Sequence, residues 1–150
     1  MKTKNNCNHS RIKKNYPLYK TIEAEVVRDI INYAAQHHGY KQAFQIPVPG
    51  KDDIFKTYKE FASEIEGFGT FLLSKGFRKD KIAIIGENSY EWLIAYFSIL
   101  NSGNTAVPLD RDLPVDDLLY NIKNSGCKAI VFSKVYADVA EKLQGLDSGI

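Results

Sequence analysis

The 150-residue chain, with 44% hydrophobic and 25% charged residues, has the size and composition of one soluble globular domain, which excludes a chain that is disordered throughout. Its longest apolar run, residues 92–100, is too short to cross a bilayer, and the basic residues at the amino end lack the apolar core of a secretory signal. The two cysteines, Cys7 and Cys127, form no CxxC pair, so the sequence indicates a reduced, cytoplasmic protein without a zinc ribbon or a redox dithiol.

The formal net charge of +2 hides an uneven distribution along the chain. Residues 1–20 carry no acidic side chain, whereas residues 21–150 carry 18 acidic and 14 basic ones. The basic residues of the first segment are Lys2, Lys4, Arg11, Lys13, Lys14 and Lys20. We therefore divide the chain into a flexible basic arm, residues 1–20, and a folded body, residues 21–150. A solvated tail is the simplest interpretation of the arm. It predicts no nucleic-acid partner and leaves weak peripheral contact with an anionic membrane as a hypothesis.

The first part of the body predicts helix, hairpin and helix. Apolar residues at helical spacing predict a helix over Thr21–His38, ended by Gly39. Two short strands, Ala43–Ile46 and Ile54–Lys56, flank a Pro- and Gly-containing turn and predict a hairpin. Thr57 with Glu60 fits a capping box, which predicts a long helix that runs to Gly76.

From residue 81 onward, strands and helices alternate. The predicted strands are Ile82–Ile85, Thr105–Leu109 and Ala129–Phe132, and the predicted helices run from Asn88 to Ser102, from Pro114 to Ser125 and from Val135 to Leu143. This alternation is typical of βαβ units, so the predicted fold is α/β, with a parallel sheet and helices on both faces. The residues that we predict to be largely buried are Ile82, Ile84, Trp92, Tyr96, Val107, Ile130 and Phe132.

The turn after the first of these strands is where a dinucleotide-binding loop would lie. It contains a single glycine, Gly86, although close approach to a pyrophosphate needs several, and no GxxxxGK[ST] loop is present. Asn88 and Glu91 have the spacing of a helix cap, which favours a plain strand-to-helix turn.

Three other groups of side chains have both a functional and a structural explanation. The acidic residues Asp110, Asp112, Asp116 and Asp117 follow the second strand. Carboxylates can bind Mg²⁺ or transfer protons, but here Asp112 is expected to help start the next helix and the other two to favour its amino end. The aromatic residues Trp92, Tyr96 and Phe97 form either a binding platform or, as helical spacing favours, part of the core. Cys7 and His9 with His37 and His38 lack zinc-site spacing, so no metal site is predicted.

Two segments resemble motifs of the AMP-forming adenylating enzymes, a superfamily that includes acyl-CoA synthetases, luciferases and the adenylation domains of peptide synthetases. "FKTYKEFASEIEGFGTFLLSKGF", Phe55–Phe77, is similar to its first motif, and "LNSGNTAVPLD", Leu100–Asp110, is similar to its second. "IGENSYEWLIAY" with "PLDRDLP" resembles the long-chain acyl-CoA synthetase branch.

The resemblance implies a fold and a reaction for a whole enzyme. The fold is part of the large amino-terminal domain. In the implied reaction a carboxylate, here that of a fatty acid, attacks the α-phosphate of ATP and gives an acyl-adenylate and pyrophosphate. The thiol of CoA then displaces AMP, and Mg²⁺ is the implied metal. Yet the sequence contains no Ser/Thr/Gly-rich loop ending in Pro-Lys-Gly, and the family's ribose-binding Asp and catalytic Lys have no counterpart here.

We therefore expect residues 21–150 to be an incomplete amino-terminal part of such a domain. We expect this chain to contain no catalytic, cofactor-binding or metal-ligating residue and to be inactive alone. Its partners would be the remainder of the same enzyme and, through it, fatty acid, ATP and CoA, with self-association through uncovered surface. The alternative is a self-contained, non-catalytic α/β interaction module derived from the same scaffold.

Deleting residues 1–20 tests the membrane hypothesis. Each basic residue near an anionic surface contributes up to about 1 kcal/mol of attraction. We therefore expect the full chain to sediment with phosphatidylserine vesicles, and binding to weaken both at high salt and after the deletion. Phosphatidylcholine vesicles are the uncharged control, and equal binding with and without the arm would rule the hypothesis out.

Overall fold

A computed structural model describes residues 22–146. The basic arm and residues 147–150 therefore lie outside the described part of the chain. Within it, the chain forms two separate sheets and five α-helices. The elements are α1 Val27–His38, β1 Gln42–Ile46, β2 Ile54–Thr57, α2 Tyr58–Ser74, β3 Lys81–Ile85, α3 Tyr90–Asn101, β4 Thr105–Pro108, α4 Val115–Ser125, β5 Cys127–Phe132 and α5 Ala137–Leu146.

The two sheets have the predicted topologies. Strands β1 and β2 pair antiparallel as a hairpin, with Ile46 opposite Ile54. Strands β4, β3 and β5 form a parallel sheet in that order, so β3 is central. Ala83 is opposite Val107 on one side and Ile130 on the other. The α/β class with parallel βαβ units is thus confirmed.

Helices cover both faces of the parallel sheet, as predicted. On one face, Leu72 of α2 and Ile99 of α3 pack with Ile82. On the other face, Ala83 and Ile85 pack with buried residues of α4, β5 and α5. Because strand side chains alternate between faces, β3 must be apolar at every inner position, and Ile82, Ala83, Ile84 and Ile85 are at most 1% exposed.

Helix α2 begins at the predicted capping box. The Thr57 hydroxyl accepts a hydrogen bond from the Glu60 amide at 3.2 Å, and the Glu60 carboxylate accepts one from the Thr57 amide at 2.8 Å. Farther along α2, a Cβ on Gly69 would lie 3.4 Å from the Ser98 carbonyl oxygen of α3. The Ser98 hydroxyl donates to the Ile65 carbonyl at 3.0 Å. A small residue at position 69 and a buried hydroxyl therefore let α2 and α3 pack closely.

Two helix starts differ from the prediction. α1 begins at Val27 rather than at Thr21, and the Asp29 carboxylate accepts hydrogen bonds from the amides of Glu25 and Val26, which lie just before the first turn. α3 is capped by Ser89, not by Asn88: the Ser89 hydroxyl accepts from the Trp92 amide at 3.1 Å. Serine and asparagine are about equally good caps, so their spacing alone did not identify which one starts the helix.

The core prediction is confirmed for Ile82 and Ile84 and is wrong for Phe132, which is 44% exposed. The other four predicted core residues, Trp92, Tyr96, Val107 and Ile130, are half-buried. Phe132 is the last residue of β5, an edge strand, so nothing in residues 22–146 covers its outer side. In the same described range, no helix is long and apolar enough to cross a membrane.

Replacing Ile84 by alanine tests the central position of β3. Ile84 is 1% exposed, so Ile84→Ala leaves a cavity, and core truncations of this kind cost about 2–5 kcal/mol of unfolding free energy. Ile54→Ala is the matched control, because Ile54 is 48% exposed and surface substitutions usually change stability by less than about 0.5 kcal/mol. Urea titration measures both, and equal losses would contradict the assignment of β3 as the buried strand.

Candidate functional site

We consider the carboxyl ends of β3 and β5 first, because these strands lie side by side in the parallel sheet. The chain leaves β3 toward α3, on the face that Ile82 packs against, and leaves β5 toward α5, on the opposite face. Where neighbouring strands send their connections to opposite faces, a crevice opens at the strand ends, and ligands of open α/β sheets bind there. The first candidate site is therefore the turn Gly86–Ser89 together with Ser133, which follows β5.

The chain's own side chains close this crevice. The Ser133 hydroxyl donates a hydrogen bond to the Glu87 carboxylate at 2.5 Å, which joins the two diverging connections. A Cβ on Gly86 would lie 3.3 Å from Trp92 Cδ1 and 3.4 Å from Ser133 Cβ, so the turn is packed against both. The glycine here serves close packing of the turn rather than approach of a ligand.

The electrostatics of the crevice disfavour a phosphate. Donation by Ser133 and a backbone hydrogen bond lower the pKa of Glu87 below its usual value, so its carboxylate is ionised at neutral pH. Ser89 already accepts from the Trp92 amide, one of the donors that a helix amino end offers to an anion. Residues 86–92 therefore do not fit the phosphates of a nucleotide.

Beside this crevice lies an apolar groove of about 460 Å³. Its walls come from the hairpin, α2, the first turns of α3 and the end of β5, and they include Phe68, Ile84, Trp92, Val131 and Phe132. Apolar pockets of a few hundred cubic ångströms are typical of small-molecule and packing sites, so the volume alone does not define a ligand.

Three polar side chains stand at one wall of the groove. The Lys56 ammonium lies 2.6 Å from Glu64 Oε1 and 5.6 Å from the centre of the Tyr90 ring. Burial, with the nearby Glu64, raises the pKa of the Tyr90 phenol, so Tyr90 stays protonated. Its hydroxyl is buried and has no hydrogen-bond partner among the residues described. Sequence analysis did not select any of these residues, because Lys56 and Glu64 look like ordinary surface charges and Tyr90 like one more apolar position of α3.

The aromatic residues of α3 form part of a packed cluster. Trp92 and Tyr96 stack with ring centres 5.3 Å apart, and Phe97 meets Phe61 of α2 edge-on at 5.9 Å. Phe61 in turn contacts Phe44 of the hairpin at 4.8 Å. This arrangement favours the packing explanation for Tyr96 and Phe97, whereas Trp92 also lines the groove.

The acidic residues after β4 do not converge. Asp110 accepts a hydrogen bond from the Asp112 amide at 3.0 Å in a local turn, and Asp116 and Asp117 lie in the first turn of α4. We expected Asp112 to help start α4, but it does not cap that helix. The residue at the N-cap position is Pro114, and it makes no side-chain hydrogen bond to the helix. Across residues 22–146, no group of three or more His, Cys, Asp or Glu side chains is placed to hold a metal ion.

The histidines have a local role. His37 is stacked on Tyr33, with ring centres 4.0 Å apart, and its Nδ1 lies 3.0 Å from the Tyr33 carbonyl oxygen. Cys7 and His9, the other residues weighed as metal ligands, lie outside the described residues. His37 therefore helps to pack the end of α1.

The fold and the crevice define the class of protein: an α/β unit whose strand ends carry no phosphate-binding loop of their own. The model of the AMP-binding enzyme family matches residues 31–149, and the chain belongs to that family. The mitochondrial medium-chain acyl-CoA ligase of Bos taurus is 31% identical over 86 residues, which are 57% of this chain and 14% of the relative. Bacitracin synthase 1 of Bacillus licheniformis is 36% identical over 121 residues, which are 80% of this chain and 2% of the relative.

Solved structures share the fold. The inhibitor-bound N-terminal domain of FACL13 from Mycobacterium tuberculosis superposes with a TM-score of 0.73 at 21% identity, covering 79% of this chain and 29% of that one. A putative long-chain-fatty-acid CoA ligase from Rhodopseudomonas palustris gives 0.74 at 18% identity, covering 87% and 32%. The chain thus spans about a third or less of each of these two structures.

The hydrogen bond from Ser133 to Glu87 predicts that the pKa of Glu87 rises when the Ser133 hydroxyl is removed. Because the pKa of Glu87 is lowered in the folded state, the bond stabilises the fold above the unfolded pKa, near 4.5, and this contribution is lost as the pH falls through the folded pKa. We expect Ser133→Ala to raise the pKa of Glu87 toward 4.5, as measured by carboxyl-carbon NMR.

Ser63→Ala, on the exposed surface of α2, is the matched control and should leave the titration of Glu87 unchanged. A Glu87 carboxyl that titrates at or above 4.5 in the unsubstituted chain would contradict the hydrogen bond.

Proposed function

We propose that this chain forms the amino-terminal scaffold of a larger ATP-dependent, AMP-forming ligase that joins a fatty acid to CoA. The observation that carries the proposal is the family match over residues 31–149. Its second motif, residues 100–110, contains the end of α3, the turn and β4. The role of this chain is then to supply sheet strands and covering helices against which the rest of the enzyme packs.

The proposed substrate class comes from the relatives. Medium-chain acyl-CoA ligases recur among them, and a solved neighbour is described as a putative long-chain-fatty-acid CoA ligase. Bacitracin synthase 1 and a plipastatin synthase of Bacillus subtilis match as well, so an amino acid is the competing carboxylate. We favour a fatty acid because the groove beside the crevice is apolar and because residues 85–96 resemble the long-chain acyl-CoA synthetase branch.

We propose that the described residues do not themselves hold ATP, Mg²⁺ or CoA. In the proposed whole enzyme, ATP would activate the fatty-acid carboxylate and CoA would receive the acyl group, which requires positive charge and fixed donors around the phosphates. Here the crevice carries the ionised Glu87, and the acidic residues after β4 do not converge on one point. We derive no catalytic step from these residues, and the chemistry is proposed to belong to polypeptide outside this chain.

A self-contained interaction module is the second candidate. The observation that favours it is that the described residues form a core on both faces of the sheet, with the central strand fully buried. Such a module would fold alone, would not need further polypeptide, and would not substitute for a segment of a ligase.

A segment exchange distinguishes the two candidates. Residues 31–149 would replace the matching segment in the mitochondrial medium-chain acyl-CoA ligase, and fatty-acid-dependent pyrophosphate exchange would be measured. A scaffold role predicts that exchange is retained within about tenfold, because no transition-state contact is altered. The isolated chain should show no exchange and should bind ATP more weakly than about 1 mM by calorimetry, since its crevice has no anion cradle.

Two variants of the exchanged enzyme serve as controls. Asp112→Asn should be neutral, because Asp112 makes only a local turn contact and an exposed ion pair with Arg111. Ile84→Asp should abolish exchange, because it buries an unpaired charge in the central strand. A hybrid that folds, as judged by circular dichroism, but shows no exchange would contradict the scaffold proposal. Fatty-acid-dependent exchange by the isolated chain would do so as well.

A further inference from the structure

The three parallel strands begin at the same level of the sheet. Lys81 of β3 lies opposite Thr105 of β4 on one side and Cys127 of β5 on the other. Because the strands are parallel, the segments that join α2, α3 and α4 to the strands that follow them lie side by side at this level. We call these segments, residues 75–81, 102–105 and 123–128, the amino edge.

The amino edge is basic. Its single acidic residue is Asp80, whose carboxylate accepts a hydrogen bond from the Arg78 amide at 2.9 Å. The helix dipole explains a lysine in the last turn of a helix, but not the basic residues in a loop and at the starts of strands. The six basic residues of the edge, all of them exposed, are Lys75, Arg78, Lys79, Lys81, Lys123 and Lys128.

The opposite end of the sheet is acidic. There the segments from the strands into the next helices, residues 86–91, 109–117 and 133–138, contain only two basic residues, Arg111 and Lys134. Charge is thus separated along the strands, so a polyanion is attracted to the amino edge and repelled from the other end. The seven acidic residues of the carboxyl ends are Glu87, Glu91, Asp110, Asp112, Asp116, Asp117 and Asp138.

Apolar side chains are exposed beside the basic ones. Arg28 of α1 donates from Nε to Asn101 Oδ1 of α3 at 3.0 Å, which holds the start of α1 next to the amino edge. Val26, just before this helix, is 58% exposed. Phe71 of α2 is 49% exposed, and the Lys75 ammonium lies 5.4 Å from the centre of its ring. Apolar and basic side chains therefore lie together at this end of the molecule.

We propose that the amino edge binds an anionic lipid bilayer. Lysine and arginine attract the lipid headgroups, and exposed apolar side chains among them can enter the interface, a combination typical of proteins that lie on a membrane surface. A nucleic acid would use the positive charge but would offer little to an exposed valine. The basic arm, residues 1–20, joins the described chain at residue 22, six residues before Arg28, so at most about 20 Å of chain separates it from the same surface.

The predicted binding is weak and independent of the proposed function. Ligands of open α/β sheets bind at the carboxyl ends of the strands, whereas this surface lies at their amino ends. Glu23 and Glu25 precede α1 and oppose the attraction. Each basic residue near an anionic surface strengthens binding by at most about fivefold, so the few residues of the edge give reversible rather than permanent attachment.

Two double variants with the same change of charge test the location of the surface. Arg78→Glu with Lys79→Asn makes the amino edge less positive, and asparagine tolerates the positive φ of 57° at residue 79. Arg111→Glu with Lys134→Asn makes the same two exchanges at the carboxyl ends and is the matched control. Sedimentation with phosphatidylserine-containing vesicles measures binding, and pure phosphatidylcholine is the uncharged control. We expect at least about tenfold weaker binding for the first variant and less than about threefold for the second.

A pair of phenylalanine variants tests the apolar part of the surface. Phe71→Ser should weaken vesicle binding severalfold, because it removes an exposed ring beside Lys75. Phe55→Ser is the matched control, since Phe55 is 55% exposed on the hairpin, and it should leave binding unchanged. Circular dichroism checks that each variant folds. If the first double variant unfolds, Lys128→Gln against Lys134→Gln repeats the charge comparison with one exchange each.

Four results would overturn the proposal. Equal losses for the amino-edge variants and their controls would show that only total charge matters. A chain without residues 1–20 that has no salt-sensitive vesicle binding would assign the attraction to the arm alone. Equal effects of the two phenylalanine variants would remove the apolar contact. A duplex oligonucleotide that binds through the amino edge, when vesicles do not, would make the partner a nucleic acid.

Discussion

Burial of β3 on both faces is the constraint on which the rest of the described structure depends. Ile82 and Ile84 face α2 and α3, whereas Ala83 and Ile85 face α4 and α5, and none of the four is more than 1% exposed. Helices α2, α3, α4 and α5 bury apolar side chains against the sheet because this strand offers apolar side chains in both directions. The strands at either side, β4 and β5, are in turn held by hydrogen bonds to the same strand.

The buried strand also explains the chemistry of the crevice at its end. The chain leaves β3 through Gly86, and the packing of Gly86 against Trp92 and Ser133 places Glu87 within hydrogen-bond reach of the Ser133 hydroxyl. An ionised carboxylate then occupies the point at which other open α/β proteins receive a ligand. A phosphate bound at this point would need positive charge around it. The described chain instead places the negative carboxylate of Glu87 there, where it joins the two connections through its hydrogen bond with Ser133.

Local signals in the sequence predicted most of the fold. The continuous apolar run Ile82–Ile85, the capping box at Thr57 and the glycines after the helices are strong signals, because each depends only on neighbouring residues. The errors arose where several residues could perform the same role, as with the caps Asn88 and Ser89, or where the answer depended on strand order. Nothing in "AIVF" distinguishes a central strand from an edge strand, so the exposure of Phe132 could not be derived without the topology.

The candidate site was less predictable for a related reason. The absence of a phosphate-binding loop could be recognised from spacing, since such loops are local. The groove wall formed by Lys56, Glu64 and Tyr90 could not be recognised, because it requires the hairpin, α2 and α3 to meet. The same distinction applies to strand order: nothing local shows that β5 is an edge strand of the sheet formed by residues 22–146, because that follows only once β3 takes the centre. The groove wall and the edge position of β5 are thus set by topology, while the buried strand β3 that creates this topology is the part that the sequence specifies most directly.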